Sequence, residues 1–179
     1  MVKKLLYGRL ELENATALLH FSKKGLVQEL LHNLKYRGHE QIGKFLGDWL
    51  GGELKTIETY QTIDVVVPVP THKKSKRERG YNQVTKFGQQ IAKALDVDYY
   101  DDALIKTSHT KRQVFKDRVT RFEDVNKRFE IGNTVGLYNK HILLVDDVIT
   151  TSATIEACGL LLQTIPGVKI SVATMAIVE

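Results

Sequence analysis

The segment His141-Ile142-Leu143-Leu144-Val145-Asp146-Asp147 restricts the fold of this chain more than any other stretch. Ile142 to Val145 are apolar without alternation, so both faces of an extended chain here need cover. A parallel sheet packed between helices provides that cover. Two acids close the run, and Thr150, Thr151, Ser152 and Thr154 then surround the start of a helix expected from Thr154 to Ile165.

Ligands of open α/β sheets lie at the carboxyl ends of the strands, which is where Asp146 and Asp147 are expected. A helix N-terminus presents free backbone N–H groups and the positive end of its dipole to an anion. Carboxylates accept hydrogen bonds from sugar hydroxyls, and a hydroxyl-lined helix start holds a phosphate. The pattern therefore fits a phosphorylated sugar lying across a strand end.

The rest of the chain alternates in the same style. Ala17 to Phe21 forms a short apolar run suited to an edge strand, and Leu26, Leu30, Leu31 and Leu34 recur at helical spacing. Residues 39–50 repeat that spacing with Ile42, Phe45, Leu46, Trp49 and Leu50, before Gly51-Gly52 predicts a stop. This stripe places Trp49 in the core. Ile63 to Val67 is a β-branched strand closed by Pro68 and Pro70. A helix with Val84, Phe87, Ile91 and Leu95 on its buried side follows, then a strand at Ala103 to Ile105, and a last apolar strand from Val168 to Val178 after the Pro166-Gly167 turn. Strand and helix in alternation predict a single α/β domain over residues 1–179, a parallel β-sheet flanked by helices. Residues 1–60 form a smaller N-terminal portion, and residues 61–179 form the core sheet.

The chain has 179 residues, enough for one domain that buries about 70% of its unfolded surface. No window nears the ~18 apolar residues of a membrane span, so a soluble cytoplasmic protein without a membrane partner is expected. A single cysteine, Cys158, excludes an intrachain disulfide and a cysteine-rich zinc site. The histidines show no metal-ligand spacing. The net charge of +5 is uneven. Residues 71–82 carry five Lys/Arg against one acid, and residues 106–128 carry eight against three, so the remainder is slightly acidic. Two basic stretches on such a body point to local anion sites rather than to a uniformly nucleic-acid-binding surface.

The segment Val145 to Thr154 resembles the phosphoribosyl pyrophosphate (PRPP) motif of type I phosphoribosyltransferases, which usually has glycine where this chain has Ser152; a residue other than glycine held there at positive φ would cost about 1–2 kcal/mol. The Pro68-Val69-Pro70 strand end, the string Arg79-Gly80-Tyr81-Asn82-Gln83, the string Leu34-Lys35-Tyr36-Arg37-Gly38 and the pattern Gln113/Arg118/Asn126/Phe129 narrow the likeness to the ComF/GntX family, bacterial phosphoribosyltransferase-like proteins linked to DNA uptake. The likeness runs from about residue 17 to residue 178. Many members carry a cysteine-rich zinc-binding segment ahead of this domain; this sequence has none, so the expectation is either a short member or a shortened form of a longer one.

The resemblance implies the type I phosphoribosyltransferase fold, with residues 1–60 as a small hood-like N-terminal subdomain, and a transfer of phosphoribosyl from PRPP to a nitrogenous base. Asp146 and Asp147 would orient the ribose hydroxyls. Thr150, Thr151, Ser152, Ala153 and Thr154 would hold the 5′-phosphate. Thr71, His72, Lys73, Arg77 and Arg79 would take the pyrophosphate, and Lys111, Arg112 and Arg118, on a loop that closes over the reaction, complete the catalytic set. The protein needs no metal ligands of its own, because Mg²⁺ would arrive on the substrate. The alternative is a module that binds PRPP or a nucleotide without chemistry, or that binds single-stranded DNA or a partner in the uptake machinery. A P-loop or dinucleotide fold is excluded, since neither GxxxxGK[ST] nor GxGxxG occurs.

Overall fold

A computed structural model describes residues 2–107 and 128–178. Five strands form the central sheet: β1 (Ala15–Phe21), β2 (Val65–Pro68), β3 (Asp98–Tyr99), β6 (His141–Ile149) and β7 (Lys169–Val178). Their order is β1-β7-β6-β2-β3 and every neighbouring pair is parallel. β4 (Leu104–Lys106) and β5 (Phe129–Ile131) make a separate antiparallel pair. The strand expected at Ala103–Ile105 therefore lies outside the main sheet. The place beside β2 goes instead to the two-residue β3, too short to show a periodicity.

Alternation along β6 sorts the core into two layers. Ile142 and Leu144 pack with Val65, Val67, Val172 and Ile170 beneath helices α1 (Val2–Leu6) and α6 (Ala153–Leu162). Leu143 and Val145 pack with Val66, Ala173 and Met175 beneath α2 (Leu26–Tyr36), α3 (Glu40–Lys55) and α5 (Thr85–Leu95). Cys158 is buried in the first layer, and burial pushes its thiol well above the ordinary cysteine range.

The face of α3 differs from the expectation. Its buried residues are Gly43, Leu46, Gly47, Leu50, Gly51 and Leu54, whereas Phe45 is 61% and Trp49 is 45% exposed. A glycine every fourth residue lets the α3 backbone sit against α5: a Cβ on Gly47 would lie 2.5 Å from the Phe87 carbonyl oxygen. Close backbone approach outweighs aromatic burial here, and Phe45 packs edge-on against Trp49 on the outside. Gly51 and Gly52 belong to this contact rather than to a terminus, and the helix runs on to Lys55.

The strand–helix links place the site. β6 leads through α6 on one face to its neighbour β7, and β2 leads through α5 on the other face to its neighbour β3. Between β2 and β6 the connections part, which opens a crevice at the carboxyl ends.

Candidate active site

β6 is longer than its apolar run because β7 keeps pairing with it. Asp146 stands opposite Thr174, and Val148 and Ile149 stand opposite Ala176 and Ile177. On the other edge, β2 ends with Pro68 opposite Val145, and the Val69 N–H donates a last bond to the Val145 carbonyl at 2.8 Å. Pro70 then has no donor to give, and the chain leaves. The acids therefore do not follow the strand end. They lie within β6, beside the notch that β2 vacates.

Within a strand, adjacent side chains point to opposite faces. Asp147 continues the Leu143–Val145 series, and on that face it accepts from Lys35 Nζ of α2 at 2.8 Å and from Gln83 Nε2 at 2.9 Å. Asp146 continues the Ile142–Leu144 series, where the Lys106 ammonium of β4 acts on it. It also accepts from the Asp147 N–H at 2.8 Å. Lys35 is thus in contact with Asp147, and its charge also acts on Asp146, more strongly than that of Lys106. Burial, and then the charge of Asp147, push the Asp146 carboxyl up to about 7. Burial pulls the Lys106 ammonium below the ordinary lysine range, against the pull of Asp146.

Both acids open into a cavity of about 320 Å³ lined also by Lys35, Thr71, His72, Ser75, Arg79, Gln83, Lys106 and Thr154. Its walls carry four cationic or imidazole side chains around two carboxylates, which suits an anionic ligand bearing hydroxyls.

The first basic stretch is a helix, α4 (Lys73–Arg79), rather than a loop. The His72 ring accepts from the Lys74 N–H at 3.1 Å, and Gly80 closes the helix at φ 86°, a left-handed position that glycine takes without strain. None of its residues is buried, so no apolar stripe announced it. Helical spacing sets which side chains face the cavity: His72, Ser75 and Arg79, three and four apart. Lys73 and Arg77 are exposed and do not line it. Thr71 lines the cavity and donates to Asn82 Oδ1 at 2.8 Å. Arg79 donates to Gln83 Oε1 at 2.9 Å and stacks 5.2 Å over the Tyr36 ring, while the Tyr81 hydroxyl donates to the Leu34 carbonyl. These bonds tie α2 to the mouth of the site.

Of the residues expected at the 5′-phosphate, only Thr154 lines the cavity; Thr150 and Thr151 are exposed beside it and Ala153 is half-buried. Ser152 is buried at φ −66°, so the turn is not left-handed there, and the substitution for glycine brings no backbone strain. Lys111, Arg112 and Arg118 lie outside the described residues. Lys35, Gln83, Ser75 and Lys106 are contributors that the sequence reading did not assign. Lys35 and Gln83 sit inside strings already recognised as characteristic, whereas Lys106 is separated from the acids by forty residues and carried no local signal. Among the described residues no group of three or more His, Cys, Asp or Glu could hold a metal ion, and no helix is long and apolar enough to cross a membrane.

Two sets of known proteins are similar to this chain, one in sequence and one in fold. The Escherichia coli K12 protein named DNA utilization protein YhgH is 28% identical over 138 residues, covering 75% of this chain and 60% of its own length. Competence protein F of Haemophilus influenzae is 28% identical over 101 residues, covering 56% of this chain and 44% of its own. Competence protein ComFC of Streptococcus pneumoniae is 29% identical over 143 residues, covering 80% and 60%. The chain is a homologue of the ComF-type proteins. It spans about 60% of the length of the E. coli and S. pneumoniae relatives. No family model matches the chain. Among solved structures, a glutamine PRPP amidotransferase from B. subtilis superimposes with a TM-score of 0.51 at 18% identity, covering 75% of this chain and 26% of that one. An adenine phosphoribosyltransferase from Trypanosoma brucei gives 0.50 at 13% identity, covering 87% and 69%. The fold is that of the type I phosphoribosyltransferases.

Proposed function

We propose that this ComF-type chain binds PRPP with Mg²⁺ and transfers the phosphoribosyl group to a nitrogenous acceptor, in a role tied to the uptake or use of DNA. The observation that carries the reading is the pair of buried carboxylates, Asp146 and Asp147, facing one cavity together with three cations and a helix start.

In the reaction the bond from C1 of ribose to the pyrophosphate oxygen breaks as a bond from C1 to the acceptor nitrogen forms. Positive charge builds on the sugar ring and negative charge on the leaving group. Asp146 and Asp147 accept from the ribose 2′- and 3′-hydroxyls and stabilise the cationic ring. Arg79, Lys35 and Lys106, with His72 and Thr71, offset the pyrophosphate charge, and the turn from Thr150 to Thr154 takes the 5′-phosphate. Most of the acceleration comes from positioning and fixed charges. Two carboxylates beside a phosphate pocket suit Mg²⁺, which keeps waters and phosphate oxygens as most of its ligands and would supply charge neutralisation on the leaving group.

Calorimetry with PRPP and Mg²⁺ should give binding to the wild type that is lost in Asp146→Asn/Asp147→Asn; unchanged binding removes the site assignment. Pyrophosphate release against a panel of bases then tests the chemistry. A second reading, a sensor of PRPP or a nucleotide, draws on Asp147 being already held by Lys35 and Gln83. It prevails if PRPP binds and no base releases pyrophosphate. Single-stranded DNA binding with a steep salt dependence would instead favour direct contact with nucleic acid.

A further inference from the structure

Ser152, the departure within the motif, has its side chain turned away from the cavity. Arg9 Nη1 donates to Ser152 Oγ at 2.9 Å, Ser152 Oγ donates to Glu156 Oε2 at 3.4 Å, and the same Arg9 nitrogen lies 3.5 Å from that carboxylate oxygen. Glu156 sits in the first turn of α6 and is 3% exposed. It is, with Asp146 and Asp147, one of three buried acids among the described residues. Arg9 arrives from the far side of α6. Leu10 beside it packs on Gly159, where a Cβ would come within 2.4 Å of Leu10 Cδ2, so the segment crosses the helix with no side chain in between.

A buried carboxylate at a helix start opposes the anion that the start would attract, because it offsets the helix dipole where charge is least screened. Arg9 supplies the missing cation and, through Ser152, also fixes the turn. We infer that Arg9 is a positioning residue for the phosphomonoester group of the ligand, neutralising Glu156 behind the turn from Thr150 to Thr154 without touching the ligand. This rests on the reading of that turn as the 5′-phosphate subsite.

The test is calorimetric binding of ribose 5-phosphate to the full chain and to R9M, R9K, E156Q and R9M/E156Q, with urea unfolding on each. R9M should weaken binding by about tenfold, the scale of one uncompensated charge acting at a partly buried helix terminus; Arg9 itself is half-exposed and Glu156 buried. R9K keeps the charge and should retain most of the affinity. R9M/E156Q removes both charges and should bind near the wild-type level. That double variant leaves no unpaired charge, so it keeps the inference open to refutation even if R9M does not fold. Wild-type affinity in R9M overturns it, as does a folded double variant that binds ribose 5-phosphate as weakly as R9M or, where R9M does not fold, well below the wild type. Absence of binding to the wild type removes the subsite reading and this inference together, whereas equal binding to wild type and R9M removes this inference alone.

Discussion

Replacing Asp146 with asparagine should make the protein more stable while depriving it of its ligand. Asp146 is 8% exposed, and burial followed by the charge of Asp147 pushes its carboxyl up to about 7. In the unfolded chain the same group titrates near 4. Between those values the unfolded state holds fewer protons than the folded one, so stability falls as pH rises through that window and the whole penalty is present above pH 7. Each unit between the two values is worth about 1.4 kcal/mol, giving an upper limit of roughly 4 kcal/mol, and relaxation around a coupled pair reduces the expectation to about 2–4 kcal/mol. Asparagine keeps an oxygen for the Asp147 N–H and has no charge to desolvate. Urea unfolding at pH 8 should therefore show D146N more stable than wild type by that amount, a rise in Tm of roughly 4–16 °C. At pH 4.5 the difference should shrink to about 1 kcal/mol or less and below pH 3 it should nearly vanish, and PRPP binding should be lost at pH 8. A D146N protein no more stable than wild type at pH 8, or a difference that ignores pH, would refute the argument that burial holds this carboxyl up.

Other outcomes follow from the same contacts. K35M strips Asp147 of its ion-pair partner and should lower stability by about 1–3 kcal/mol, since Gln83 still donates to the carboxylate; adding D147N should return most of the loss in urea unfolding. G47A should destabilise by about 1–2 kcal/mol, because the ~1 kcal/mol gained in helix propensity is outweighed by overpacking against the Phe87 carbonyl. A G47A protein more stable than wild type would show that α3 and α5 separate without penalty. Trp49 is the chain's single tryptophan, and its half-exposed position predicts emission at long wavelength that iodide quenches; W49S should change stability by less than about 1 kcal/mol.

The three inner strands of the sheet were legible in the sequence. An unalternating run at Ile142–Val145, the β-branched run before Pro68 and the long apolar stretch to Val178 each demand cover on two faces, and parallel strands between helices provide it. The sequence also marked Asp146, Asp147, Thr71, His72, Arg79 and Thr154, all of which line one cavity. Periodicity failed where packing rather than hydrophobicity chose the face: the glycine row of α3 displaced Phe45 and Trp49 outward, and α4 buries no side chain that could have revealed it. Only the tertiary structure decided how the acids are used. Because β7 prolongs β6 after β2 has turned away, Asp146 and Asp147 remain in a strand and point to opposite faces, so neighbours in sequence acquire different surroundings: Asp147 is held by Lys35 and Gln83, whereas Asp146 is buried beside it with the charges of Lys35 and Lys106 acting on it. Which charges reach a buried carboxylate depends on the elements that cover each face, and Lys35 and Lys106 lie more than a hundred and about forty residues from the two acids in sequence.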